Sequence, residues 1–509
     1  MPASASDGEE PVATRAIRGA WHVPFVLGTA ALVVAVAWVS AYDLAAPPSI
    51  LPIPLGLAIG AGLVGLAVLL MLRWSQQLAL FVFLAVAQVI AIKIDTTSIQ
   101  VAVVALVPLG ARVLLFTRRE VRPAWGWPEW TAIAWVALQF VSTALFAPDV
   151  TTSLGTAGLL GIGVLTYLVT FTGVCTKERL IFAVRVMLLA AVSSAIVALG
   201  SLLAYYAFGS SGGMATLPGV GPVVRGVAKE PDLLGSTCGA AAITFLILSR
   251  EDNPVVKRFW AVIGFWVCVA AMSATLTRGA IIGFGVALVA ALLLRRPTLA
   301  RGIRLVRAIA PLAGALLIGL GALVLVGARG SNGALGQLGE QGTIKLQGLF
   351  EASGSVRQRG GETLIALDDL GRSPILGLGS GSFGERHIDY SLDPPGPGYL
   401  GNLYLRTLYD TGAVGLLLLM VFLVRILWPS PRLYRSRADL APVAWALIFG
   451  SGTLAIAYGA TDGSLLVWPW FLLGLARAAR ELTLLEHGAL AVERREAQVR
   501  PGAALASRT

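Results

Sequence analysis

Arg278 interrupts the stretch SATLTRGAIIGFG, where two apolar runs meet with scarcely a loop between them. A guanidinium beside hydrocarbon is costly. Such a residue either snorkels to the interface from a helix end or is kept there for chemistry. The chemistry open to it is that of a fixed cation: always charged, planar, and able to grip an oxyanion through two parallel hydrogen bonds. Two further polar segments supply groups of the same kind. GSSGGMATLPGVGPVVRGVAKEPD (209–232) presents Arg225, Lys229, Glu230 and Asp232, and its glycines and prolines exclude regular helix. The segment 328–402 contains the short helical pattern SVRQRGGETLIALDDL, then GRSPILGLGSGSFGERH and the proline-rich SLDPPGPGYLGN.

Other chemistries find less support. The glycines of GLGSGSFG could bring backbone amides to a phosphate, but the run lacks the G-x-x-x-x-G-K-S/T pattern and reads more simply as a turn. Of three histidines only His387 lies in this long segment, and no second ligand stands at metal-binding spacing from it, so no metal site and no cofactor is expected. Cys175, Cys238 and Cys268 lie in or beside apolar runs, which is no disulfide framework. Basic patches interleaved with stacking aromatics are missing, which argues against a nucleic-acid partner.

The elements that must position these groups are membrane helices. The 509 residues are 56% hydrophobic and 13% charged, with a mean hydropathy of +0.78; a soluble domain carries about 25% charged residues. Apolar runs near 21–42, 51–72, 77–94, 97–116, 128–147, 154–174, 180–208, 232–249, 259–277, 279–294, 306–327, 403–427, 440–458 and 464–476 predict an all-α polytopic membrane protein of twelve to fourteen spans. The layout is a tail at 1–20, spans from 21 to 327 with the short outer loop 209–232, and the long outer loop 328–402. Spans at 403–476 and a tail at 477–509 complete it. With the N-terminus inside, Arg118, Arg119, Lys177, Lys257, Arg258, Arg295 and Arg296 fall on the cytoplasmic side. The short outer connections then hold only Lys93, Arg225, Lys229 and Arg278, as the positive-inside rule requires. Both termini are thus expected in the cytoplasm, the chain in the cell's inner (plasma) membrane, and the net charge of +11 in contact with membrane lipids.

Four stretches, in order, resemble the bacterial O-antigen ligase and Wzy-type polysaccharide polymerase superfamily. TLTRGAIIGFGVAL is similar to the family's S-x-S-R-G-A segment, with Thr275 and Thr277 at the hydroxyl positions and Arg278 at the arginine. VRGVAKEPDLLGS resembles its R…(N/E)P segment through Arg225, Glu230 and Pro231. RGGETLIALDDLGRSPILGLGSGSF is similar to R-x-x-x-W-x-x-A-L…P-L-x-G-x-G-x-x-x-F, with Arg359 at the arginine and Thr363 where tryptophan is usual. GNLYLRTLYDTGAVGLL resembles H-N-x-x-L…E-x-G-x-x-G, matched by Asn402, Leu405, Asp410, Gly412 and Gly415. Gly401 replaces the histidine typical of ligases, which inclines the resemblance toward the polymerase branch.

The resemblance implies a membrane glycosyltransferase similar to the GT-C class. Its donor would be a glycan repeat unit on a polyprenyl diphosphate, such as undecaprenyl diphosphate, joined to others at the outer face as O-antigen or exopolysaccharide, and a chain-length regulator is a possible partner. Arg225 and Arg278 would then hold the diphosphate, with Arg359 and Asn402 assisting or placing the glycan. Glu230 and His387 are the candidate general bases for the acceptor hydroxyl, Asp389 a poorer one. Ordinary alternatives stand beside these roles: a salt bridge from Glu230 to Lys229 or Arg225, a solvated His387, and Asn402 as a helix cap. Ligase-type transfer to a separate acceptor is the alternative activity. A transporter or flippase is a second alternative, disfavoured by the scarcity of ionisable residues at span centres and of any internal repeat.

Overall fold

The computed structural model describes residues 72–88, 90–94, 97–116, 123–217, 221–228, 230–294, 354–387, 400–430 and 438–499, with positions 433 and 436. The expected spans at 21–42 and 306–327, nearly all of 51–72, the first tail, Lys229 and Asp389 lie outside these residues. Described are thirteen helices and two short hairpins. In chain order they are α1 (Trp74–Ala87), β1 (Ile90–Ile94), β2 (Thr97–Gln100), α2 (Val101–Phe116), α3 (Trp127–Phe146), α4 (Val150–Gly173) and α5 (Lys177–Phe208). Then follow β3 (Met214–Leu217), β4 (Gly221–Val224), α6 (Pro231–Leu248), α7 (Arg258–Thr275), α8 (Arg278–Leu294), α9 (Gly354–Leu370), α10 (Ser382–Arg386), α11 (Leu403–Leu427), α12 (Ala441–Ala457) and α13 (Val467–Val499). Six of the helices are long and apolar enough to cross a membrane, and α1, α2, α8 and α12 are shorter apolar helices. The chain is an all-α polytopic membrane protein.

Side-chain caps mark where several helices start. Asp149 accepts from the Thr151 and Thr152 amides at the head of α4, Thr176 from the Arg179 amide at the head of α5, and Asn402 from the Tyr404 and Leu405 amides at the head of α11. Gly209, with φ 69°, closes α5 in the left-handed conformation. The expectation of a span over 77–94 is corrected: the helix stops at Ala87, and β1 pairs with β2 as an antiparallel hairpin. IAIKI alternates β-branched residues with smaller or polar ones, a period of two that a helix cannot use. At the other end of the chain α13 continues to Val499, so helix runs well past 476 into the segment expected to be a tail.

At the centre stands α6, where seventeen of eighteen positions are buried and Asp232 is the exception. A helix apolar all round belongs inside a bundle, and α5, α7, α8 and α12 surround this one. Small residues let the helices close up. A Cβ on Gly235 would stand 2.6 Å from Thr275 Oγ1 and 2.9 Å from that of Thr277, so α6 runs directly against the turn between α7 and α8.

Polar contacts sort the connections into two ends. At one end Lys177 pairs with Asp439 (3.0 Å) and Glu486 (3.1 Å), Arg185 donates to the Val255 carbonyl (2.6 Å), and Arg480 to those of Arg425 and Trp428. Exposed Trp127, Trp130, Trp260 and Trp428 lie at this level, as interfacial tryptophans do. At the other end Arg386 donates to the Phe146 carbonyl (2.7 Å), Glu385 accepts from the Asp149 amide and the Ser153 hydroxyl (both 3.1 Å), and Asn402 donates to the Gly459 carbonyl (2.8 Å). Burial lifts the Glu385 carboxyl above its ordinary value, against those hydrogen bonds.

The glycine-rich segment is docked on α11. That helix kinks at Gly412 (φ 65°, ψ −167°), and the irregular backbone opens polar groups that the segment satisfies. Leu378 N–H donates to the Tyr409 carbonyl (2.8 Å), Gly379 N–H to that of Asp410 (3.1 Å) and Gly381 N–H to the Asp410 carboxylate (3.1 Å), while Ala413 N–H returns to the Pro374 carbonyl (2.9 Å). The amides that could have approached a phosphate are spent on this joint. Asp410 is held further by Arg406, which also pairs with Asp462, all three side chains buried. Gly412→Ala forces a side chain onto a left-handed backbone beside Ile375 and should cost roughly 1–3 kcal/mol. Its expected signature is a lower unfolding midpoint in detergent with faster proteolysis of 354–387; unchanged proteolysis would remove the joint from the account.

Candidate anion site at the helix N-termini

The turn between α7 and α8 is only two residues, Leu276 and Thr277. Leu276 sits at φ 55°, uncommon for a leucine, and reverses the chain so that α8 begins at Arg278. Thr275 and Thr277 on either side are buried, their hydroxyls bonded to the carbonyl of Met272 (2.7 Å) and to the head of α6. Thr277 Oγ1 lies 3.3 Å from the Pro231 carbonyl and 3.2 Å from Asp232 Oδ1. The turn that carries Arg278 is thereby fixed against the Pro231–Asp232 step of another motif, forty-odd residues upstream.

Arg359, near the start of α9, reaches the same place. Its Nη2 lies 3.4 Å from Asp232 Oδ2, and its Nη1 donates to the carbonyl of Ala460 in the loop between α12 and α13. A Cβ added to Gly401 would stand 3.6 Å from Arg359 Nε, which puts the head of α11 beside the guanidinium. Thr363, at the position usually tryptophan, turns its hydroxyl back to the Arg359 carbonyl (2.7 Å). The N-termini of α6, α8 and α11 thus gather around Arg278 and Arg359. Aligned peptide dipoles make each helix start favourable to negative charge, although at α11 the first amides are already taken by Asn402 and the Tyr458 carbonyl. With the half-exposed Arg359 and Arg278 beside them, the arrangement suits a multiply charged anion.

The other sequence-predicted residues are placed as follows. Asn402 caps α11 through its carbonyl oxygen and bonds the Gly459 carbonyl through its amide, so the cap role holds and the residue fixes Gly401 and the 459–460 loop. Glu230 stands exposed at the N-cap position of α6 without capping it. Arg225 follows β4, its Nε donating to the Met214 carbonyl (3.1 Å), so the hairpin sets its position. His387 is not brought to this group. Its Nε2 lies 2.6 Å from Asp369 Oδ2, and Asp369 is ten residues from Arg359 along α9, an axial rise of about 15 Å. Asp232, Thr277 and the Ala460 carbonyl were not chosen as site residues from the sequence. The one available signal was the order Glu-Pro-Asp, which places a carboxylate in the first turn of a helix whose remaining residues are apolar or small.

Around Asp369 a second polar cluster ties α9 and α10 to α11. Burial pushes its carboxyl up, but hydrogen bonds from His387 and from Tyr409 OH (2.9 Å) outweigh it and leave the group below its ordinary 3.8. A lowered folded-state value means stabilisation that is present above 3.8 and is lost as pH falls through the folded-state value. Asp369→Asn should therefore lower stability at neutral pH, by about 1–3 kcal/mol for the orphaned partners. Thermal unfolding at neutrality and near pH ~3 checks this: the gap to wild type should narrow in acid, and an equal gap at both would count against the pairing.

Residues 263–420 match a family model described as O-antigen ligase. No curated protein matches the chain. The matched stretch runs from within α7 to within α11 and takes in the TLTRG turn, α9, the docked glycine segment, Asn402 and the Gly412 kink. Over this stretch, somewhat under a third of the chain, the protein is similar to the O-antigen ligase family.

Proposed function

We propose that the protein is a glycosyltransferase that polymerises oligosaccharide repeat units carried on a polyprenyl diphosphate at the outer face of the cytoplasmic membrane. The observation that carries the reading is the convergence of Arg278, Arg359 and three helix N-termini at one end of the bundle. The lysine and arginine bias along the chain supports assigning that end to the outside, with both termini in the cytoplasm.

As the bond between sugar and diphosphate breaks, negative charge grows on the departing oxygens. Guanidinium groups fixed beforehand stabilise that charge without reorganising, and more strongly where water is scarce. Arg278 and Arg359 grip the diphosphate, Arg225 adds a cation from the hairpin, and these groups supply the neutralisation without a metal. Asn402 supports the site by holding the head of α11. A single displacement inverts the anomeric centre. Glycine at 401 favours polymerisation over ligase-type transfer, since the histidine of the ligase pattern is replaced and Arg359 lies against that position.

The test is turnover of lipid-linked repeat units by the purified protein, with products resolved by size. A ladder is expected from the wild type, and a single transfer to an unrelated acceptor would instead show a ligase. Arg278→Ala and Arg225→Ala should lower polymer formation by at least about a hundredfold, the scale of lost charge stabilisation, with membrane insertion intact. Arg278→Lys should also be impaired, because a point charge lacks the planar fork. Normal ladders from either alanine variant would discard the diphosphate clamp.

A further inference from the structure

This inference rests on the clamp reading and adds the group that moves the proton. We propose that Asp232 accepts the proton of the attacking hydroxyl, at a place where the ligase pattern has a histidine and this chain has none. Asp232 is the one position of α6 that is not buried, so an otherwise enclosed helix presents a single carboxylate at its outer tip. Both oxygens are engaged by the elements that bear the cations: Oδ1 by Thr277, next to Arg278, and Oδ2 by Arg359. A carboxylate has about four acceptor positions, and with its side chain one-third exposed, two remain for an incoming hydroxyl. The point a histidine at 401 would occupy lies against the same guanidinium, so Asp232 and that lost side chain share Arg359 as a neighbour.

The alternatives are worse placed. His387 is committed to Asp369 far along α9. Glu230 stands two residues earlier, on the exposed rim. The charged groups nearest Asp232 are Arg359 across the 3.4 Å contact, Arg278 beside its Thr277 partner, and Glu230 two residues earlier. An ion pair this exposed contributes little to stability, so the Asp232–Arg359 contact is a weak strut. It is also long, at 3.4 Å, and easily exchanged. A diphosphate competes for Arg359 and releases Oδ2 as the donor binds. The acceptor oxygen then attacks the anomeric carbon while its proton passes to Oδ2. The bond from that carbon to the diphosphate oxygen breaks, its electron pair stays on the phosphate held by the arginines, and Asp232 afterwards returns the proton to water.

The experiment uses the full chain in nanodiscs and measures both turnover of lipid-linked repeat units and binding of polyprenyl diphosphate. Asp232→Asn should lose about a hundredfold or more in kcat, while KM and diphosphate affinity stay within about threefold of wild type. Asp232→Glu should recover at least about tenfold over the asparagine variant. Arg278→Ala should behave in the opposite sense and lose diphosphate binding. A kcat for Asp232→Asn within about threefold of wild type overturns the proposal. So does a loss of turnover matched by lost diphosphate binding and not relieved by glutamate, which would make Asp232 only an anchor for Arg359. In both cases the clamp survives. Failure of the wild type to bind polyprenyl diphosphate overturns the clamp, and this inference with it.

Discussion

Hydrocarbon offers no partner to a backbone N–H or C=O, and the architecture of this chain follows from that constraint. Within the bundle the backbone satisfies itself as helix. Described departures lie at the two ends, and the two hairpins, the Leu276 turn, the docked glycine segment and the 458–466 loop share one of them. Polar chemistry collects there for the same reason. A helix end is where N–H groups lack partners and where side chains can meet both ligand and water.

Two kinds of charge pairing divide the work. Arg406 with Asp410 and Asp462, and Arg477 with Glu129, are buried pairs whose partners are further satisfied by Gly381, Ser464, Tyr167 and Gly126. Breaking such a pair leaves an uncompensated charge in an apolar interior, so these pairs define one packing. Arg359 with Asp232 is different: exposed, long, and shared with a carbonyl on another loop. Its poor value as a strut is what fits it to exchange partners with a ligand.

The joint between 374–381 and α11 explains why two motifs separated in the chain occur together. Gly412 opens the helix, and the amides of Leu378, Gly379 and Gly381 close it again. Together with the Asp369 cluster, the joint ties the chain around α9 to α11, and the contacts of Arg359 with Asp232 and the Ala460 carbonyl complete its placement.

Much of this was written in local patterns. Hydropathy marked the long spans to within a few residues, the apolar runs at 403–427 and 128–147 most closely, because a membrane helix is specified by length and apolarity alone. Spacing alone separated α7 from α8 poorly, since the break is one leucine in a left-handed conformation. Strands at 90–100 were read as helix, because a short β-branched run is apolar in either form. Residue types announced Arg278 and Arg359 as cations seeking an anion. Tertiary structure alone decided that Arg359 and Thr277, the residue before Arg278, share the Asp232 carboxylate, that Asn402 is a cap, and that His387 belongs to another cluster. The reason is physical: charge and hydropathy are properties of single residues and short windows, whereas a hydrogen bond between residues 232 and 359 depends on how every intervening helix packs.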